Sequence, residues 1–148
     1  RQKAEDEYKQ IKWVKCPYLN PEVRFNSEGF EHLQFKRWNT PRNREEQYTR
    51  LRLLPLAVKV IANSHTLQEY KEERIFIRIK TNKQLSKELK LVKYFVFSSI
   101  YNNVLVKVVV RQITGAEPHF YSIIPKWRVE KGVDKNKRLL YRGNPAED

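Results

Sequence analysis

Two histidines, one arginine set among valines and a scatter of tyrosines are the side chains here best suited to do chemistry. His32 lies in Phe30-Glu31-His32-Leu33. Arg111 closes Val108-Val109-Val110-Arg111, and His119 and Tyr121 follow in His119-Phe120-Tyr121-Ser122. Imidazole titrates near neutrality and can act as acid or base. Guanidinium grips phosphate oxygens in pairs, and a phenol positions a phosphate or stacks on a base. These groups suit cleavage of RNA without a metal. The ribose 2′-hydroxyl is driven onto the neighbouring phosphorus by a base, an acid protonates the departing 5′ oxygen, and cations neutralise the charge building on the phosphate. Plainer roles compete. His119 beside Pro118 reads equally well as a turn residue, and His32 beside Leu33 as one that satisfies a nearby carbonyl. His65 in Asn63-Ser64-His65-Thr66 reads as an ordinary loop histidine.

The charge balance points the same way. Among 148 residues, 30 Lys and Arg face 17 Asp and Glu, a net charge of +13 with a pI near 9.9. A chain this basic is built to meet a polyanion, nucleic acid above all and RNA first, although an anionic membrane surface or a solubility device looks the same from charge alone. Its aspartates stand only at 6, 134 and 148. Glu73 to Lys80 has Arg78 where a metal-dependent nuclease wants an acid, no Cys/His metal spacing occurs, and the four glycines make no phosphate loop. Neither a metal nor another cofactor is expected. Cys16 is the single cysteine, which excludes an intrachain disulfide and favours a reducing, cytoplasmic setting. No apolar run approaches the ~20 residues of a membrane span, so no membrane partner is expected. With no Met and a start at Arg1, the chain reads as a processed or excised piece.

The elements that would position these groups form three stretches. Residues 1–21 read as a helical lead-in ended by Cys16-Pro17 and Asn20-Pro21. Residues 22–125 read as one α+β domain, and 126–148, with Trp127-Arg128, as a basic tail. Within the domain, Val23-Arg24-Phe25 is extended and Asn26-Ser27 caps a helix over about 27–37 that carries His32. Asn43-x-x-Glu46 starts another helix. Pro55 interrupts the stripe of Tyr48, Leu51 and Leu54, and 56–61 fits either a helix or a strand. From residue 74, Ile75, Ile77 and Ile79 alternate as a strand, 82–90 reads as a polar connection, and 91–100, Asn102-Asn103 and 104–113 form a strong hairpin signal. Thr114 to Pro118 make the next turn before a strand over 119–124.

An Asn102-Asn103 tip sets Phe95 opposite Val110 and Phe97 opposite Val108 on an apolar face, and Tyr94 opposite Arg111 and Ser98 opposite Lys107 on a polar one. Arg111 beside Tyr94 is a plain cross-strand pair in one reading, but an Arg amid valines is costly unless used. A five-residue turn pairs Arg111 with Tyr121 and Ile113 with His119, and sends Phe120 and Ile124 to the core. Lys107, Arg111, His119, Tyr121, Tyr94 and Ser98 then share one open face. Lys36, Arg37, Arg42, Arg44, Arg50 and Arg52, interleaved with Trp38 and Tyr48, either track a nucleic-acid backbone or form a solvated surface.

Val23 to His32, Leu53-Leu54-Pro55-Leu56-Ala57-Val58, and Lys107 to Arg111 followed by His119 to Pro125 together resemble the phage-type branch of the barnase–EndoU–colicin–RelE-like nuclease superfamily. The resemblance spans about residues 22–125 and rests on short, degenerate motifs. It implies N-terminal helices packed on one face of a small antiparallel sheet, and metal-independent RNA cleavage on the open face. It also implies a toxin or phage-effector setting, in which an immunity or antitoxin protein is a natural partner. The matching positions are His32, Arg111, His119, Tyr121 and Ser122, with Lys36 or Arg37 as the basic residue after the helical histidine. Segment 62–90 has no counterpart. The expected catalytic residues are therefore His32, Arg111, His119 and Tyr121. Lys36, Arg37, Arg50, Tyr94, Lys107 and Ser122 are expected to bind substrate. The rival expectations are a non-catalytic RNA- or DNA-binding module and a structural part of a nucleoprotein assembly.

Overall fold

Asn102 and Asn103 both adopt left-handed backbone angles, φ 49° and 65°, as a two-residue hairpin turn requires. In the computed structural model, which describes residues 2–37, 40–81 and 84–126, that turn joins β6 (Gln84–Tyr101) to β7 (Val104–Ile113). Side chains of Lys36, Arg37, Ile79, Lys80, Thr81 and Lys126 fall outside this description, as do Trp38 and the tail 127–148. The hairpin register is the expected one: Phe95 faces Val110, Phe97 faces Val108, Tyr94 faces Arg111 and Ser98 faces Lys107.

The chain is α+β. Before the hairpin come α1 (Gln2–Ile11), β1 (Trp13–Lys15), β2 (Glu22–Arg24), α2 (Ser27–Gln34), β3 (Phe35–Arg37), β4 (Thr40–Pro41), α3 (Arg44–Arg52), α4 (Leu54–Asn63) and β5 (Glu69–Thr81), and after it β8 (His119–Lys126). The main sheet runs β1-β2-β8-β7-β6-β5, and β3 pairs with β4 apart from it. Asn26 caps α2 by accepting from Gly29 N at 3.1 Å, and Asn43 caps α3 by accepting from Glu46 N at 2.8 Å. Residues 54–63 resolve as helix, with Pro55 in the first turn, where a missing N–H costs nothing. No described helix is long and apolar enough to cross a membrane.

Several expectations need correction, among them the helix over about 27–37, which ends at Gln34 where β3 begins. The lead-in helix stops at Ile11; Lys12 takes φ 58°, Trp13–Lys15 joins the sheet, and Tyr8 is a core residue. The sheet is not wholly antiparallel, since β2 meets β8 in parallel at Arg24 and His119. Residues 84–90 are strand rather than connection. Their Lys and Glu content suggests a loop, but cross-strand pairing with β5, Phe76 opposite Leu89 and Arg78 opposite Lys87, decides the conformation. The β7–β8 register also differs: Arg111 pairs with His119 and Val110 with Phe120, and a bulge then sets Val109 opposite Ser122. A two-residue slip keeps His119 on the Arg111 side. The bulge inserts Tyr121 and turns Ile124 to that side as well.

Nor are the helices confined to one face. The larger core packs Tyr8 of α1, Leu33 of α2 and Leu54, Ala57, Val60 and Ile61 of α4 onto Phe95, Phe97, Val106, Val108, Val110 and Phe120. On the other face Val92, Tyr94, Val96, Val109 and Ile124 form a second cluster. Because β2 pairs with β8 only at His119, the rest of that edge is left to α2 and α3. Gly29 makes this approach feasible, since a Cβ there would lie 2.3 Å from Phe120 O and 2.6 Å from the Tyr8 hydroxyl. Lodged along the edge, α2 sends Leu33 to one core and His32 toward the other side.

Candidate anion-binding cluster

Strand β7 contributes Arg111 and β8 contributes His119 and Tyr121, all on the second face beside Tyr94 of β6. The Arg111 guanidinium lies 5.1 Å from the Tyr121 ring centre and 5.8 Å from that of Tyr94. His32 stacks on Tyr121 with ring centres 4.1 Å apart, and His119 meets the same ring edge-on at 6.4 Å. One phenol ring is thus flanked by both histidines and covered by an arginine. Arg42 closes the far side, its Nε donating to the His32 carbonyl at 3.0 Å and its Nη2 standing 3.4 Å from His32 Nε2.

The carboxylate beside this group is Glu28. Its Oε2 lies 3.4 Å from Arg111 Nη1 and 3.3 Å from His119 Nε2. The histidine contact is within ion-pair range but lacks hydrogen-bond geometry, so Arg111 Nε and His119 Nε2 remain buried without a hydrogen bond. Burial, and secondarily the Arg111 charge, lowers the His119 pKa to about 4. His119 is therefore neutral at pH 7, and its approach to Glu28 is not an ion pair. Burial also raises the phenols, Tyr94 to about 12 and Tyr121 in the same direction, with Arg111 opposing both shifts. Both stay protonated and can donate a hydrogen bond.

The expectation of an open polar face fails. His119 is 4% exposed, Lys107 4%, Tyr94 2% and Ser122 fully buried, while the Arg111 side chain keeps 13%. The bulge, the valines of the second cluster and the overlying α2 together seal the sheet. Arg111 and Tyr121, both partly exposed, are the route in. Lys107 is held by Glu69 at 2.8 Å. Arg50 donates to Ser122 Oγ at 3.0 Å and to the Ile123 carbonyl at 2.7 Å, tying α3 to the β8 edge. These three residues, expected to bind substrate, have partners within the fold. Lys36 and Arg37 lie outside the described side chains.

His32, Arg111, His119, Tyr121 and Tyr94, far apart in sequence, do come together. Glu28 and the position of Arg42 were missed. Glu28 had a readable signal, because it precedes His32 by four residues and so shares its helix face. Arg42 had none, since the β3–β4 return carries it back, with Arg42 N bonded to Gln34 O at 2.8 Å. Elsewhere, an open groove of about 390 Å³ is lined by Asn43, Glu45, Glu46, Thr49, Arg50 and Pro125; its two glutamates repel a polyanion. Among the described residues no three His, Cys, Asp or Glu gather as metal ligands do. No family model, curated protein or solved structure matches the chain.

Proposed function

We propose that the protein binds RNA and cleaves it without a metal, with the phosphate held at Arg111. The observation that carries this reading is the convergence of His32, Arg111, His119 and Tyr121 in one cluster with two buried nitrogens, Arg111 Nε and His119 Nε2, left without a hydrogen bond. A buried polar group left unbonded costs about 1–3 kcal/mol; phosphate oxygens would satisfy the Arg111 donor, and His119 Nε2 as well once it carries a proton. In the reaction the ribose 2′ oxygen bonds to phosphorus while the bond from phosphorus to the 5′ oxygen breaks. One imidazole accepts the 2′ proton, the other gives a proton to the leaving oxygen, and the products end in a 2′,3′-cyclic phosphate and a free 5′-hydroxyl. Arg111 spreads its charge over the non-bridging oxygens, and the protonated Tyr121 adds a donor. His119 starts neutral, and a phosphate beside it favours its charged form, so substrate arms it as the acid. His32, stacked on Tyr121, is the base.

The depth of His119 favours a second reading, a binding module that holds RNA and leaves it intact. Purified protein incubated with mixed RNA in EDTA separates the two. The first reading expects fragments ending in cyclic phosphate that disappear in His119→Ala and His32→Ala, whereas intact RNA bound with salt-sensitive affinity supports the second.

A further inference from the structure

The first turn of α2 places Glu28 over the cluster, and its contacts there are with a guanidinium and an imidazole rather than with its own helix. A carboxylate and a phosphate ester offer the same thing to such partners: oxygens carrying negative charge. We propose that Arg111 and His119 form an oxyanion seat for a phosphate group, and that Glu28 is its resident substitute, displaced when phosphate enters. The inference rests on reading the cluster as a phosphate site and adds what occupies it at rest.

Three features carry it. His119 is 4% exposed and its Nε2 has no hydrogen bond, so the seat contains a polar atom that the resident carboxylate fails to satisfy. Arg111 Nε is unbonded as well, and its contact with Glu28, 3.4 Å through Nη1, is long for a charge-assisted bond. A tetrahedral oxyanion, with more oxygens than a carboxylate, can take the Nε–Nη2 edge of the guanidinium side-on, which Glu28 on Nη1 leaves unused, and still meet the imidazole. Glu28 can also leave cheaply. Its side chain is 52% exposed and can rotate into water, while Gly29 against Phe120 and the Tyr8 hydroxyl donating to Asn26 O at 2.5 Å hold the helix still. The alternative is purely structural: an acidic residue in a first turn is favoured by the helix dipole whatever lies nearby.

The roles predict opposite responses in binding of inorganic phosphate, followed by calorimetry and by amide shifts at Arg111 and His119. Removing the resident charge should tighten binding by roughly tenfold in Glu28→Gln, since a like charge within about 4 Å no longer competes. Glu28→Ala should bind at least as tightly as the wild type, and adding Arg111→Gln to Glu28→Gln should abolish binding. Thermal unfolding of each variant confirms that it is folded. Equal affinity in wild type and Glu28→Gln, weaker binding in the variant, or no binding by either would overturn the proposal. Tighter phosphate binding by Glu28→Gln with RNA left intact by both proteins would support the seat and remove the ribonuclease. RNA cleavage by the wild type with unchanged phosphate affinity in Glu28→Gln would do the reverse.

Discussion

The Arg111 cluster and the free end of the β5–β6 ribbon are both cationic, and they hold their charge in opposite ways. Past Val92, β6 pairs only with β5, and residues 74–90 carry six Lys or Arg against one Glu, net +5. On one face of this ribbon three successive rungs, Arg74 with Leu91, Phe76 with Leu89 and Arg78 with Lys87, hold three cations and no carboxylate. Phe76 is 70% exposed and Leu89 51%. Charges there are hydrated and cost the fold little, so they add to the long-range field without revealing a site. In the cluster, by contrast, Arg111 and His119 have given up water without full replacement. That expense is a stronger sign of a ligand than any number of exposed lysines.

The comparison breaks most readily at Arg111. Arg111→Ala should lower single-turnover cleavage of RNA by about 10²–10³-fold, the cost of losing a donor to transition-state charge. Affinity measured by filter binding should fall far less. A loss confined to affinity would place Arg111 with the ribbon as a mere attractor.

Next in size is the response to acid. His119 has a folded pKa of about 4 against 6.5 unfolded, so the unfolded chain takes up its proton first. Its stabilising contribution is complete above pH 6.5 and declines as pH falls toward 4, the loss reaching something on the order of 3 kcal/mol at the lower end. Urea unfolding from pH 7 to 4 should show this decline, and His119→Gln should flatten it. An unchanged slope in the variant would mean that His119 is hydrated.

Smaller again is the effect of breaking the Lys107–Glu69 pair. Glu69→Ala leaves a 4%-exposed lysine without that partner and should destabilise by about 2–3 kcal/mol, reduced because Glu69 itself is partly exposed. Cleavage by the folded fraction should be unaltered; a loss of turnover would return Lys107 to the site.

The ribbon should yield least. Replacing Arg74, Arg78 and Lys87 together with Gln should weaken RNA binding modestly and flatten its dependence on log salt by at most about 3 units, one per phosphate contact. Turnover at saturating RNA should not move.

How much of this could be read in advance depends on how locally each feature is determined. Asn102-Asn103 dictates its own turn, and the alternation of Phe95 and Phe97 with Tyr94 and Ser98 then sets the register across β6 and β7. Asn26 and Asn43 likewise declare their helix starts. The β7–β8 pairing was misread because a bulge between Val109 and Val110 follows from packing Phe120 and Ile123 into one core, which no short window of residues contains. The ribbon was misread because its strand state depends on a partner strand rather than on its own polar composition. At the site, alternation put Arg111 and His119 on one face correctly despite the wrong register, since a two-residue slip preserves parity. Their burial was illegible because the cover, α2 along the β8 edge, is a matter of tertiary packing around Gly29.

Whether the Arg111–His119–Tyr121 cluster does chemistry on a phosphodiester is decided by a single digestion. Uniformly labelled RNA is incubated with wild-type protein and with His119→Ala in excess EDTA, and the fragment ends are resolved. Wild-type protein should yield cyclic-phosphate ends, and their rate of appearance should drop by about 10²–10⁴-fold in the variant. Equal cleavage by both proteins, or RNA left whole by the folded wild type, would contradict it.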